Sequence, residues 1–214
     1  MRESIENENM SDSFAPEQGN NNPNVTIWGS WILDKTRGQP SMRGYLETMG
    51  VSALAIEANE KGDADCDTIH TMTLSTEQSQ QVFCIHKQSR VNNLHVKTPM
   101  DDQWHDTDLG VMSKCGTAGS EQRRIKSIRV TSQNSQHIRI ESTLPTMNGV
   151  ARVMDNKSLI LNDVDIHGCA MPLVLKQELT VWNERTGKSH TTVRYFIPHK
   201  PSHDDQSPPA TASK

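Results

Sequence analysis

Apolar and polar positions follow two different periods along this chain. Residues 25–33, VTIWGSWIL, are β-branched and aromatic, the composition of a strand. The period then changes. Met42, Tyr45, Leu46 and Met49 fall at i, i+3, i+4 and i+7, one face of a helix, preceded by Pro40 and a possible N-cap at Ser41. Gly50 interrupts, as a left-handed C-terminal glycine would, and Val51, Leu54, Ala55 and Ala58 repeat the spacing. The pattern predicts a helix–glycine–helix hairpin with an apolar stripe on each half.

From Cys66 onward the helical period does not return. Strand-like runs fall at about 67–74, 80–87, 90–97, 124–131, 136–144, 149–154, 157–162, 173–182 and 189–196. Short polar connections separate several of them: 132–135, Asn148-Gly149, Asp155-Asn156-Lys157 and 183–188. Asn-Gly between strand patterns is the strongest of these hairpin signals. With the opening strand the count is ten, and a ten-strand antiparallel meander avoids open edges by closing on itself. The expected fold is therefore mainly β: a ten-stranded antiparallel up-and-down β-barrel with a helix-turn-helix lid. Residues 1–24 and 198–214 are polar and proline-bearing. They hold too little apolar surface to offset about 1–2 kcal/mol of backbone ordering per residue, so both are expected to be disordered tails around a 25–197 domain.

Composition sharpens this picture. Of 214 residues only 33% are hydrophobic and 4% aromatic, against roughly 45–50% apolar in ordinary domains. A barrel near eight strands either fills with side chains or holds one small ligand. Ten strands with so few large side chains imply a cavity, and a helical hairpin over it makes a lidded pocket. The net charge of −4 argues against a nucleic-acid partner. No apolar run reaches membrane-spanning length, so no stable membrane insertion is expected. The first residues lack the apolar core of a secretory signal, and Cys66, Cys84, Cys115 and Cys169 are widely spaced. Reduced thiols in a cytoplasmic protein are the expectation.

Catalytic patterns are missing. The histidines form no HxH, HExxH or Cys/His cluster, and there is no GxSxG elbow, P-loop or dinucleotide-binding glycine run. Asp101, Asp102, Asp106 and Asp108 lie near Trp104 in what reads as one long loop, ordinarily solvated. Arg123, Arg124, Lys126 and Arg129 read as a wet strand face. No catalytic residue, metal or cofactor is expected, and the chain is not expected to be an enzyme.

Two segments carry a resemblance. Gly29-Ser30-Trp31 in the first strand is similar to the GxW signature of the lipocalin (calycin) superfamily. Residues 41–51, SMRGYLETMGV, resemble the "YLKALGV" segment of cytosolic fatty-acid-binding proteins. The resemblance implies a ten-stranded intracellular barrel carrying a fatty acid or similar small hydrophobic ligand, as a monomer. It makes Met42, Tyr45, Leu46 and Met49 part of a lid, and Gly29 and Trp31 a barrel-base signature. The family's last strand usually reads Arg-x-Tyr, both side chains holding the ligand carboxylate. Here it reads Arg194-Tyr195-Phe196, so the arginine is kept and Phe196 replaces the hydroxyl. A guanidinium still suits a carboxylate.

Simple alternation disagrees, because the face Thr191, Val193, Tyr195, Ile197 is more apolar than His190, Thr192, Arg194, Phe196 and would by itself turn inward. Arg194, Phe196, Tyr195 and Arg152 are therefore all carried as ligand-binding candidates. Arg129 and Arg139 are further strand-borne arginines that ordinarily point to water. Two other functions stay open: a haem-binding or enzymatic barrel of the same type, which a Soret band would reveal, and a scaffold whose tails bind proteins.

Overall fold

A computed structural model describes residues 26–89, 93–114, 121–146, 149–161 and 173–200, with the side chains of 109–114, 121–124, 133 and 161 left out of the description. The expected tails at 1–24 and 198–214, His167, Cys115 and Cys169 thus lie outside what is described, except 198–200, where Pro198 is the last residue of a strand and not part of a tail. Ten strands are present: β1 (Gly29–Gly38), β2 (Ile69–Glu77), β3 (Gln80–Gln88), β4 (Asn93–Pro99), β5 (His105–Lys114), β6 (Glu121–Asn134), β7 (His137–Thr146), β8 (Gly149–Leu161), β9 (Leu173–Asn183) and β10 (Ser189–Pro198). Two helices, α1 (Arg43–Thr48) and α2 (Ala53–Asp65), follow β1. The sheet order is β4-β3-β2-β1-β10-β9-β8-β7-β6-β5, every pair antiparallel, so the barrel is closed except between β4 and β5.

The expected number of strands is present, but two segments were assigned wrongly in opposite directions. Asp155-Asn156-Lys157, expected as a turn, is the middle of one long strand, β8. The supposed loop around Asp106 and Asp108 is β5, paired to β6 with Asp106 opposite Ser127 and Thr107 opposite Lys126. Both errors have one cause. Asp and Asn are depleted in strands and enriched in turns, and here cross-strand pairing overrides that local preference.

The helical pair lies where the spacing placed it. Gly50 adopts φ +77, with the Gly50 amide bonded to the Glu47 carbonyl and the Val51 amide to that of Leu46. These are the two bonds of a Schellman stop. Ser41 accepts from the Arg43 amide (3.1 Å), and Ser52 caps α2 through the Ala55 amide. The first stripe packs as expected, Met42, Tyr45 and Met49 lying against Ala151, Val153, Leu179 and Val181. The second does not. Leu54 is 78% exposed and Ala55 and Ala58 also face out, while Ile56 and Gly62 are buried. Arg43 instead bonds Glu60 across the hairpin, joining α1 to α2 on the solvent side.

Candidate ligand-binding site

Inside the barrel, two apolar layers enclose a polar one. The lower layer holds Trp31, Leu33, Met72, Phe83, Ile85, Ile128, Ile138, Leu175 and Phe196. The upper layer, beneath α1, is Ala151, Val153, Leu179 and Val181. Alternation explains what lies between. Ala151 and Val153 put the odd positions of β8 inside, so Asp155 and Lys157 follow them inward. Strand register then sets Lys157 opposite Gln177 and Gln177 opposite Arg194, a polar row across β8, β9 and β10. The next row, Leu159, Leu175 and Phe196, returns to apolar side chains.

Asp155 anchors the row. Lys157 Nζ donates to both its oxygens (2.8 and 3.0 Å), Gln177 Nε2 donates to Oδ1 (2.8 Å), and Lys87 Nζ reaches Oδ2 from β3 (3.4 Å). Burial pushes the Asp155 carboxyl up, but the charges of Lys157 and Lys87 and these hydrogen bonds outweigh it and hold it well below the usual carboxylate range. Lys157 is fully buried, and desolvation brings its ammonium down to about 8 despite Asp155. Lys126, on β6, is also lowered to about 8, first by desolvation and then by Lys87. His70 stands opposite Lys87 in register. Its ring stacks on Phe196 with centroids 4.6 Å apart, and burial, then Lys157, Lys87 and Arg194, keep it neutral. Burial and then the Asp155 charge push the Tyr45 phenol up.

Arg194 points inward at 5% exposure, which resolves the conflict between alternation and resemblance. Its Nε and Nη2 are buried without a hydrogen-bond partner, as are Gln177 Oε1, His70 Nδ1 and Thr192 Oγ1. Phe196 faces the same interior. Tyr195 is on the outer face, its ring under the Arg37 guanidinium (4.2 Å). Arg152 is also outside, 68% exposed and bonded to Glu184 (2.6 Å). Arg129 pairs with Glu141, and Arg139 donates to Asn156. The structure thus brings Arg194 and Phe196 together and leaves Tyr195 and Arg152 apart from them. Trp31 is buried at the base with its indole N–H on the Ile27 carbonyl (2.8 Å), and Gly29 lies beside it in β1.

Sequence reasoning missed Asp155, Lys157, Gln177, Lys87, Lys126 and His70. The signal for β8 and β9 was there: odd positions from Ala151 to Leu159 and from Leu175 to Val181 are apolar except at the polar row. Lys126 in particular belongs to the interior and not to the wet face expected for 123–129. A separate cleft of about 600 Å³ opens at the other mouth of the barrel, among Trp28, Leu74, Met100, Asp101 and Val130. The polar row does not border it.

No family model matches the chain, and no curated protein matches it. Among solved structures it is similar to the apo form of lipid binding protein 8 of Caenorhabditis elegans, with 13% identity and a TM-score of 0.49, over 80% of this chain and 94% of that one. In strand number, strand order and the place of its helical pair, the structure is the ten-stranded antiparallel up-and-down barrel with a helical pair after β1 that the sequence led us to expect.

Proposed function

We propose that this barrel binds and transports, without catalysis, a small amphiphile with an anionic head group, a fatty acid being the simplest. The head group lies on Arg194 and the tail runs along the apolar wall beneath α1. One observation carries this reading: a buried guanidinium with two nitrogens lacking partners. Arginine does not shed its proton, and a buried charge is costly until something answers it. A ligand carboxylate supplies that partner bidentately. α1 is suited to be the gate, because its Met42, Tyr45 and Met49 stripe rests on the upper apolar layer through side-chain packing, with the Asn183 side-chain amide donating to the Thr48 carbonyl (2.9 Å). The carrier works as a cytoplasmic monomer in this reading, in keeping with the absence, among the described residues, of any helix long and apolar enough to cross a membrane.

The test is Arg194→Gln, titrated with a long-chain fatty acid and with the corresponding alcohol. Acid affinity should fall about tenfold or more, since 1.4 kcal/mol is a factor of ten and removing one member of a buried charged pair costs about 2–5 kcal/mol. Alcohol affinity should hold. Wild-type acid binding by the variant would refute the assignment.

A further inference from the structure

Charge around the polar row exceeds what a carboxylate can answer. Four cations meet there. Lys157 and Lys87 both bond Asp155, Arg194 lies one register step beyond Gln177, and Lys126 shares the inner face of β6 with the buried Ile128 and Val130, where the charges of Lys87 and Asp155 act on it. Among the described residues two carboxylates face them, Asp155 and the α2 residue Asp63, whose charge acts on Arg194. The remaining titratable neighbours add nothing: His70 is held neutral and Tyr45 is held as the phenol. With every lysine protonated the interior carries two uncompensated positive charges. A monocarboxylate on Arg194 would leave one of them in a layer closed above and below by apolar side chains.

We infer that the head group is a dianion, a phosphate monoester, held by Arg194 together with Lys87 and Lys126. This rests on the reading that the barrel binds an anionic amphiphile, and it specifies the head. Three further features fit. Arg194 offers two unsatisfied nitrogens on one side of the row, and phosphate takes an arginine fork as readily as a carboxylate does. Thr192 Oγ1, on the same inner face of β10, is a hydroxyl without a partner and can donate to a third oxygen. Lys87 keeps 28% of its side chain exposed, so it can turn from Asp155 to a ligand while Lys157 and Gln177 continue to hold that carboxylate. The preference is a matter of charge count, since each added ligand charge meets a cation at the wall of the barrel interior.

The experiment compares decyl phosphate, decyl sulfate, decanoate and decanol by calorimetry on the full chain, below micelle-forming concentrations. Sulfate has the phosphate's tetrahedral shape with one charge. The phosphate should bind about tenfold or more tightly than sulfate or decanoate near pH 7.4, where a phosphate monoester is dianionic because its second pKa is about 6. That advantage should vanish near pH 5. Lys87→Gln and Lys126→Gln should each reduce the phosphate advantage several-fold with little change for decanoate, whereas Arg194→Gln weakens both.

Phosphorus NMR gives a readout independent of the variants: the bound phosphate should protonate at lower pH than the free ester. Equal affinity for sulfate and phosphate, or no shift in the protonation midpoint, overturns the dianion assignment and leaves the amphiphile reading intact. Failure of all four ligands to bind overturns both. Inorganic phosphate binding as tightly as decyl phosphate would make the ligand a free anion and also refute the amphiphile.

Discussion

Asp155 holds the interior together, so its replacement by asparagine tests the whole electrostatic account. Asp155→Asn keeps the shape of the side chain and removes its charge. Lys157, fully buried, then loses the carboxylate that contacts it at 2.8 and 3.0 Å. Breaking a buried ion pair by removing one partner costs about 3–5 kcal/mol. The loss has a ceiling, because Lys157 can escape by shedding its proton. The fold already holds that ammonium at about 8, so at pH 7 releasing its proton costs only about 1.4 kcal/mol more. With the lost hydrogen bonds to Asp155, each worth about 1 kcal/mol, the penalty is capped near 2–3 kcal/mol.

For a domain of this size, about 2–3 kcal/mol is a fall in Tm of roughly 4–12 °C. Urea unfolding followed by circular dichroism should show a lower midpoint with an unchanged m-value. The penalty should shrink toward about 1 kcal/mol near pH 10, where a neutral lysine is no longer costly to form. Asp155→Leu combined with Lys157→Met should return most of the lost stability, since a well-packed apolar pair replaces a buried ion pair at little net cost. Gln177 can still donate to the asparagine oxygen, and Lys87, which loses its ion-pair partner, is partly exposed and can turn to water. A penalty under about 1 kcal/mol for Asp155→Asn at neutral pH would refute the argument, because it would mean Lys157 is solvated.

Three other outcomes follow from the same geometry. Lys157 and Lys126 are both lowered to about 8 in the fold, so between about pH 8 and 10 the unfolded chain binds protons that the native state does not; stability should therefore rise from pH 7.5 to 9.5, less steeply in Lys157→Met, and a fall would contradict the burial of these lysines. Tyr45→Asp puts a charge into the contact between α1 and the upper apolar layer, and stopped-flow displacement should show ligand release accelerating more than Tm falls; a large Tm loss with unchanged release would make α1 core and not gate. A Cβ on Gly44 would lie 2.4 Å from the His190 ring, so Gly44→Ala should cost about 1–3 kcal/mol by displacing α1 from β10, and adding His190→Ala should restore most of it in the same unfolding assay.

Local pattern determined much of this protein. The stripe at Met42, Tyr45, Leu46 and Met49, ended by Gly50, specified α1 and its stop, because helix periodicity and a left-handed glycine act within one or two turns. Turns such as 183–188 were equally legible, where Asn183 Oδ1 accepts from the Arg185 and Thr186 amides. The Gly29-Ser30-Trp31 and lid segments pointed to the correct barrel.

What the tertiary structure decided is which face of each strand turns inward and which charges then meet. Asp-Asn-Lys reads as a turn when taken locally, yet Asp155 and Lys157 lie in one strand because Leu179 and Gln177 pair with them across twenty residues of chain. Arg194 faces inward against the hydrophobicity of its own strand, since its neighbours in the closed barrel, Gln177 beside it and Phe196 stacked on His70, set the pleat. Lys87 gave no sign in sequence of being interior, because a lysine between His86 and Gln88 looks the same on either face, and at Lys126 the neighbouring Ile125, which is exposed, made the other face of β6 look the apolar one. A charge cluster is a property of strands brought together by pairing, and alternation along one strand carries no information about what the opposite wall presents.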